Sequence, residues 1–167
     1  MPRRLATLIA VAVALVALAG CDASDATRPA PPDERRAAPE LVLPRLDGRG
    51  ELRLAEYRGR PVVLNFWASW CEPCREEMPA LARFARDQRR VAVVGVAVND
   101  APARSRAFAR RAGVGFPLAV DREAGAAGRF GVSGLPVTVF IDAEGRIVRT
   151  VRGVVTEADL RGAADGA

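Results

Sequence analysis

Residues 62–74, VVLNFWASWCEPC, carry the strongest structural signal in the chain. The first six, Val62–Trp67, are mostly apolar and β-favouring, which predicts a buried strand. Cys71 and Cys74 follow a short link, and apolar residues then recur at helical spacing up to about Arg89. The sequence therefore places a C-x-x-C pair at a strand-to-helix junction.

This position predicts different roles for the two cysteines. Cys71 would lie at the helix N-terminus, where unpaired N–H groups and the helix dipole stabilise a thiolate. Cys74, one turn further on, would face the same side and be more buried. Pro73 suits the first helical turn, where its missing N–H costs little. Cys71 is the candidate nucleophile, and Cys74 would resolve the mixed disulfide. An inert structural bridge is the alternative, but so short a loop gives little entropic stabilisation.

The composition excludes several kinds of site. The chain has 167 residues, which suggests one domain. All 25 basic residues are arginine, and lysine and histidine are absent from the sequence. A Ser-His-Asp triad, a histidine metal site, a Schiff-base lysine and a phosphate-loop lysine are therefore excluded. The net charge is +5, but the arginines are scattered among 20 acidic residues, so we expect no nucleic-acid partner.

The N-terminus predicts export. Arg3 and Arg4 precede an apolar run, Leu5–Ala19, that is shorter than the roughly 20 residues of a spanning helix. A basic start and a short apolar run are typical of a signal peptide. The residues LAGC that end at Cys21 resemble a bacterial lipobox, in which this cysteine is lipidated. An ordinary signal peptide or an uncleaved anchor is the alternative.

The chain is accordingly divided into three parts. Residues 1–20 are interpreted as a signal peptide with a lipobox. Residues 21–38 are rich in proline, alanine and charge, and we expect a disordered tether. Residues 39–167 form the predicted folded domain.

The remaining sequence alternates between strand and helix patterns. Two segments, 41–46 and 51–54, flank Asp47-Gly48 and predict a hairpin. Further strands are predicted at 91–98, 116–120, 137–141 and 147–151, and helices at 101–112, 122–130 and 157–164.

Together these motifs resemble the thioredoxin superfamily and, more narrowly, the membrane-tethered TlpA/ResA-like thiol–disulfide oxidoreductases. The resemblance runs from about Pro39 to Asp165. It includes WCEPC at 70–74 after the apolar strand, GFP at 115–117 and GVSGLPVTVFID at 131–142. It implies an α/β fold, a thioredoxin-like three-layer sandwich. This fold has a mixed central sheet, an N-terminal β-hairpin and an inserted helical segment within residues 99–130.

The resemblance also assigns site residues. Glu77 aligns with an acid beneath the cysteines that would exchange a proton with the resolving thiol. The alternative is a solvated Glu77 beside Glu76. Pro136 aligns with a cis-proline, which would place the backbone of Leu135 opposite Cys71, where an extended substrate can pair with it.

Residues beside the cysteines are expected to tune the site. Trp70 is predicted to form a partly exposed rim that contacts substrate, and Trp67 to pack in the core. The charge of Glu72 should raise the pKa of the Cys71 thiol. Glu72 and Pro73 are the two residues between the cysteines. A C-x-x-C pair that lacks histidine between its cysteines favours a reductant over a strong oxidant.

The resemblance implies an exported enzyme, held by a lipid on the extracytoplasmic face of a bacterial membrane, that reduces disulfides in exported proteins. Apocytochrome c is the leading substrate, which would place the enzyme in cytochrome c maturation. A membrane thiol or electron donor is the implied partner, and we expect a monomer. The redox-active disulfide Cys71–Cys74 would act without a cofactor or metal.

Two other functions remain open at this point. A peroxiredoxin-like peroxidase would share the fold, but Ala68 stands where that chemistry usually needs a threonine. A copper(I)-binding lipoprotein could use the sulfurs of Cys71, Cys74 and Met78, although the chain offers few other soft ligands.

Overall fold

The computed structural model describes residues 36–165, so the predicted signal peptide and Cys21 lie outside the described residues. No helix in the described range is long and apolar enough to cross a bilayer. A short 3₁₀ helix, Leu54–Tyr57, follows the second strand. The strands and α-helices within this range are, in chain order, β1 Val42–Pro44, β2 Glu51–Arg53, β3 Val62–Trp67, α1 Glu72–Asp87, β4 Ala92–Val98, α2 Pro102–Arg111, β5 Leu118–Asp121, α3 Gly125–Arg129, β6 Val137–Ile141, β7 Ile147–Arg152 and α4 Glu157–Asp165.

A five-stranded mixed sheet forms the middle layer, in the order β5-β4-β3-β6-β7. β3 lies parallel to β4 and antiparallel to β6, and the β1–β2 hairpin forms a separate two-stranded sheet. The hairpin covers the outer edge of β5, where the N–H of Leu46 donates to the carbonyl of Leu118 at 2.8 Å. This arrangement confirms the predicted thioredoxin-like α/β class.

The central strand β3 is buried on both faces, which explains its nearly continuous apolar sequence. On one face, Val63 and Trp67 share a core with side chains of α1, α2 and α4. On the other face, Leu64 and Phe66 pack in a core that includes residues of the hairpin and α3. The helices and hairpin thus supply the outer layers of the predicted sandwich.

The inserted segment between β4 and β6 differs in detail from the prediction. A helix was expected over residues 122–130, but α3 covers only Gly125–Arg129. The backbone of Ala124 is left-handed, with φ of 56°, so the chain turns just before the helix begins. Gly125 and Gly128 also weaken helix formation. The carboxylate of Asp121 accepts the N–H of Ala127 at 2.8 Å and holds this short turn against the end of β5.

The first described residues join the sheet beside the start of β7. The N–H of Ile147 donates to the carbonyl of Arg36 at 2.8 Å, and the N–H of Ala38 donates to Gly145 at 2.9 Å. Since Ile147 pairs with Ile141, the last residue of β6, this attachment lies at the end of the sheet where β6 finishes.

Gly95 on β4 leaves room for the indole of Trp67. A Cβ at this position would lie 3.0 Å from Trp67 Nε1 and 2.5 Å from Leu118 Cδ2. We therefore expect Gly95→Ala to lower the free energy of unfolding by about 1–3 kcal/mol, because overpacking displaces core side chains. Urea denaturation measures the change. Gly162→Ala on α4 is the matched control: its Cβ would meet nothing within 4 Å, so it should be neutral or stabilising. Equal destabilisation by both variants would contradict this role for Gly95.

Candidate active site

Cys71 and Cys74 form a disulfide at the start of α1, with their Cα atoms 5.3 Å apart. Cys71 is the N-cap residue, and its Sγ accepts the N–H of Cys74 at 3.3 Å. Cys71 is 5% exposed and Cys74 is fully buried. The expected order of burial is confirmed, and Cys71 itself is largely shielded in the oxidised protein.

The residues between and after the cysteines combine opposite charges. Pro73 lies in the first turn of α1, as predicted. Glu72 is exposed, and its carboxylate lies 3.5 Å from the guanidinium of Arg75. The positive charge of Arg75 therefore offsets part of the effect that Glu72 was expected to have on the Cys71 thiol. Redox tuning by Glu72 and Pro73 stays a prediction.

Glu77 is buried one helical turn beyond Cys74 and is only 2% exposed. Its Oε1 accepts a hydrogen bond from Asn65 Nδ2 at 2.8 Å, and its Oε2 accepts the N–H of Val155 at 2.8 Å. Burial raises the pKa of the Glu77 carboxyl to about 7, and the two hydrogen bonds limit the rise. The alternative of a solvated carboxylate is wrong. A group that titrates near neutral pH suits proton exchange.

Asn65 is a site residue that the sequence did not identify. It lies on β3, directly opposite Thr138 of β6, and its Nδ2 also donates to Thr138 Oγ1 at 3.0 Å. The available signal was its polarity within an otherwise apolar strand. Asn65 and Val155 bring β3 and the segment before α4 into contact with the carboxyl of Glu77.

Leu135 and Pro136 lie at the same end of the sheet as the cysteines. The peptide bond between them is cis, which confirms the expectation for Pro136. Val137, the first residue of β6, pairs with Phe66 near the end of β3, so Pro136 lies close to the link that leads to Cys71. The carbonyl of Pro136 accepts the N–H of Gly153 at 2.9 Å. Substrate pairing by Leu135 stays a prediction.

The two tryptophans have the predicted environments. Trp67 is fully buried and packs against Phe108 in a tilted arrangement, with ring centroids 5.5 Å apart. Trp70 is 58% exposed, and its Nε1 donates to the carbonyl of Asn99 at 3.1 Å. Trp70 therefore presents an apolar face beside Cys71 while one edge is held in place.

Asp100 holds the link between β3 and α1. Its carboxylate accepts the N–H of Ser69 at 2.7 Å and the Ser69 hydroxyl at 3.0 Å. It also accepts the hydroxyl of Ser105 at 2.7 Å. The adjacent Asn99 is left-handed, with φ of 46°, which directs its carbonyl to Trp70. Neither residue was predicted to belong to the site, although an Asn-Asp pair directly after a buried strand is a signal for one.

We expect Asp100→Ala to loosen this link. Loss of the acceptor for Ser69 should lower the free energy of unfolding by about 1–3 kcal/mol and lower the fluorescence anisotropy of Trp70 in a Trp67→Phe background. Ser105→Ala keeps both bonds to Ser69, so it should leave the anisotropy unchanged. If the fluorescence anisotropy of Trp70 is unchanged in Asp100→Ala, the carboxylate of Asp100 does not position the segment between β3 and α1.

The structure buries Met78, the third sulfur ligand that the copper(I) alternative requires, in the core. Met78 is fully buried on α1, and the sulfurs of Cys71 and Cys74 are bonded to each other. Within residues 36–165, no group of three or more histidine, cysteine or carboxylate side chains could hold a metal ion.

Comparison with known proteins gives consistent matches. Residues 35–150 match the AhpC/TSA family. The thiol-disulfide oxidoreductase ResA of Geobacillus thermodenitrificans is 37% identical over 126 residues, covering 74% of this chain and 72% of the relative. ResA of Bacillus subtilis is 35% identical over 123 residues, covering 72% of this chain and 68% of the relative.

Solved structures agree with these matches. A DsbF homologue from Corynebacterium diphtheriae has a TM-score of 0.76 at 27% identity and covers 83% of this chain and 90% of its own. A thiol:disulfide interchange protein of the thioredoxin family from Chlorobium tepidum has a TM-score of 0.71 at 25% identity and covers 80% of this chain and 96% of its own.

Proposed function

Because the chain belongs to the AhpC/TSA family and is a thiol–disulfide oxidoreductase with a thioredoxin fold, we propose that it reduces disulfides of exported proteins outside the cytoplasm. The observation that carries this proposal is the Cys71–Cys74 pair at the start of α1, with the buried carboxyl of Glu77 one turn beyond it. A C-x-x-C pair without histidine favours the reducing direction.

The reaction is a pair of thiol–disulfide exchanges. The Cys71 thiolate attacks one sulfur of the substrate disulfide and forms a mixed disulfide, while the other substrate sulfur leaves as a thiolate. Cys74 then attacks Cys71, so the second substrate thiol is released and the Cys71–Cys74 disulfide forms. Two electrons pass to the substrate in each cycle. A membrane thiol donor would return the enzyme to the dithiol form.

Glu77 handles the proton of the resolving thiol in this proposal. Cys74 is fully buried, so its thiol needs a nearby base before it can attack. A carboxyl whose pKa is raised to about 7 by burial can accept that proton at neutral pH and return it when the disulfide is reduced.

Oxidised apocytochrome c is the proposed substrate, and Trp70, Leu135 and Pro136 would contact its extended haem-attachment segment. The test mixes the reduced enzyme with a disulfide-bonded peptide that contains a C-x-x-C-H haem-attachment motif. We expect stoichiometric reduction of the peptide by the wild type and none by Cys71→Ser. In cells, alkylation should find mostly the dithiol form. A mostly oxidised pool in cells that supply electrons would overturn the reducing direction.

Lipidation of Cys21 would hold the enzyme at the membrane. We expect Cys21→Ser to move the protein from the membrane fraction to the soluble exported fraction, because the lipid attachment point is lost. The control Cys71→Ser should remain in the membrane fraction. If Cys21→Ser stays with the membrane, the N-terminal segment itself is the anchor.

A further inference from the structure

The side-chain amide of Asn65 has one unpartnered end inside the core. Asn65 is fully buried on β3, and its Nδ2 donates to both Glu77 Oε1 and Thr138 Oγ1. Its Oδ1 is buried without a hydrogen-bond partner among the described residues. A buried acceptor that is left unpaired costs about 1–3 kcal/mol. This cost arises in the central sheet, next to Glu77 of the candidate active site, which suggests that the free acceptor has a function.

The partners of Glu77 suit only its ionised form. Both of its oxygens face donors, the Asn65 amide and the backbone N–H of Val155. A protonated carboxyl is itself a donor and needs an acceptor. The N–H of Val155 is fixed in the backbone. Asn65 can supply an acceptor, because half a turn of its amide exchanges Nδ2 with the unpartnered Oδ1.

Thr138 can follow the same change. Its hydroxyl accepts from Asn65 Nδ2 at 3.0 Å, and a hydroxyl can rotate to donate instead. After half a turn of the amide, Oδ1 of Asn65 would occupy the place of Nδ2. It could then accept from the carboxyl of Glu77 and the hydroxyl of Thr138 through its two lone pairs. The three side chains can therefore hydrogen-bond with one another with Glu77 either ionised or neutral, and in the neutral form Nδ2 takes the buried place that Oδ1 leaves.

We propose that Asn65 is a positioning residue whose amide turns over when Glu77 gains or loses its proton, with the Thr138 hydroxyl reversing its hydrogen bond in step. The inference rests on the proposed proton role of Glu77. The proton comes from the Cys74 thiol and returns to it, so no further reactant is needed. The amide would stabilise both forms of Glu77 and lower the cost of passing between them.

The Asn65 amide is the neighbour of Glu77 that can respond when the carboxyl gains or loses its proton. The contributions to its pKa are burial and the hydrogen bonds from Val155 and Asn65, with none from a charged side chain. Its ionisable neighbours on α1, Glu72, Arg75 and Glu76, are exposed on the other side of the helix. The elements packed against the carboxyl therefore present neutral groups that can respond only through hydrogen bonding.

Nuclear magnetic resonance of the oxidised protein tests the proposal without requiring turnover. The ¹³C signal of the Glu77 carboxyl and the side-chain ¹⁵N–¹H₂ signals of Asn65 are followed from pH 5 to 9. We expect both Asn65 amide protons to move upfield as pH falls, with the same midpoint as Glu77, because Nδ2 loses both acceptors; a fixed amide would shift only the proton that donates to Glu77. If Glu77 titrates while the Asn65 proton that donates to Thr138 stays constant, the amide is a fixed donor: the inference fails, and the proposed function stands.

The variant Asn65→Ala provides a second measurement. A fixed donor stabilises the ionised carboxyl more than the neutral one, so its removal should raise the Glu77 midpoint by about one pH unit or more. A reversing amide stabilises both forms, and the midpoint should then move by less than about half a unit. If Glu77 shows no titration between pH 5 and 9 in the wild type, its proposed proton role fails and this inference falls with it. The wild-type spectra decide the question even if the variant does not fold.

Discussion

Replacing Cys74 with serine is expected to trap substrates on the enzyme as mixed disulfides through Cys71. The Sγ of Cys71 accepts the N–H of Cys74 at the N-terminus of α1, and a thiolate there would keep this bond and the favourable helix dipole. Since Cys74 is fully buried, only Cys71 can meet a protein disulfide first. Without the resolving thiol, the mixed disulfide persists.

The two single cysteine variants separate the roles. Turnover should fall by more than about 10³-fold in both, because each removes a sulfur that the cycle needs. Mixed disulfides seen on non-reducing gels should form only in Cys74→Ser. Traps confined to Cys71→Ser would reverse the assignment of nucleophile and resolving thiol.

Replacing Glu77 with glutamine is expected to remove a large pH dependence from the stability of the oxidised protein. The pKa of Glu77 is raised from 4.5 to about 7 by burial. Between these values the folded protein keeps a proton that the unfolded chain has lost. The free energy of unfolding should therefore fall as pH rises through this window, by about 3 kcal/mol in total, and level off above pH 7.

Chemical denaturation at a series of pH values measures this effect as the difference between wild type and Glu77→Gln. The difference cancels the titration of the other carboxylates, including Asp159, whose pKa is lowered by hydrogen bonds from Thr156 although burial alone would raise it. The exposed Glu76→Gln is the matched control and should keep the wild-type pH dependence. Parallel curves for wild type and Glu77→Gln would show that the carboxyl is not held protonated.

Parts of the fold that depend on local pattern could be predicted from the sequence. β3 and β6 have the predicted bounds, 62–67 and 137–141, because their apolar runs are bounded by turn residues. α4 begins at the predicted residue 157, where the hydroxyl of Thr156 accepts the N–H of Asp159 at 3.2 Å. α3 was predicted too long because its turn depends on the left-handed Ala124 and the carboxylate of Asp121, neither of which periodicity reveals.

The site also combines residues that are close together in the chain with residues that only the fold brings together. Cys71, Cys74 and Glu77 lie within two turns at the start of α1, and the family resemblance assigned Glu77 to the site beside the two cysteines. Asn65 and Asp100 contribute through contacts with residues 12 and 31 positions away, which depend on the sheet order. Val155 acts through its backbone N–H, which no side-chain pattern could have identified.

The attachment of Arg36 beside the start of β7 has a mechanical consequence. β6 begins near the cysteines and ends near this attachment, and its five residues span about 17 Å. Any force transmitted through the chain before residue 36 therefore acts on the end of the sheet remote from the cysteines. If the proposed lipid at Cys21 holds the protein, this attachment would direct the end of the domain that carries the cysteines away from the membrane surface. Exported substrates would then meet the cysteines directly, whereas the proposed membrane thiol donor would need a domain that projects from the bilayer.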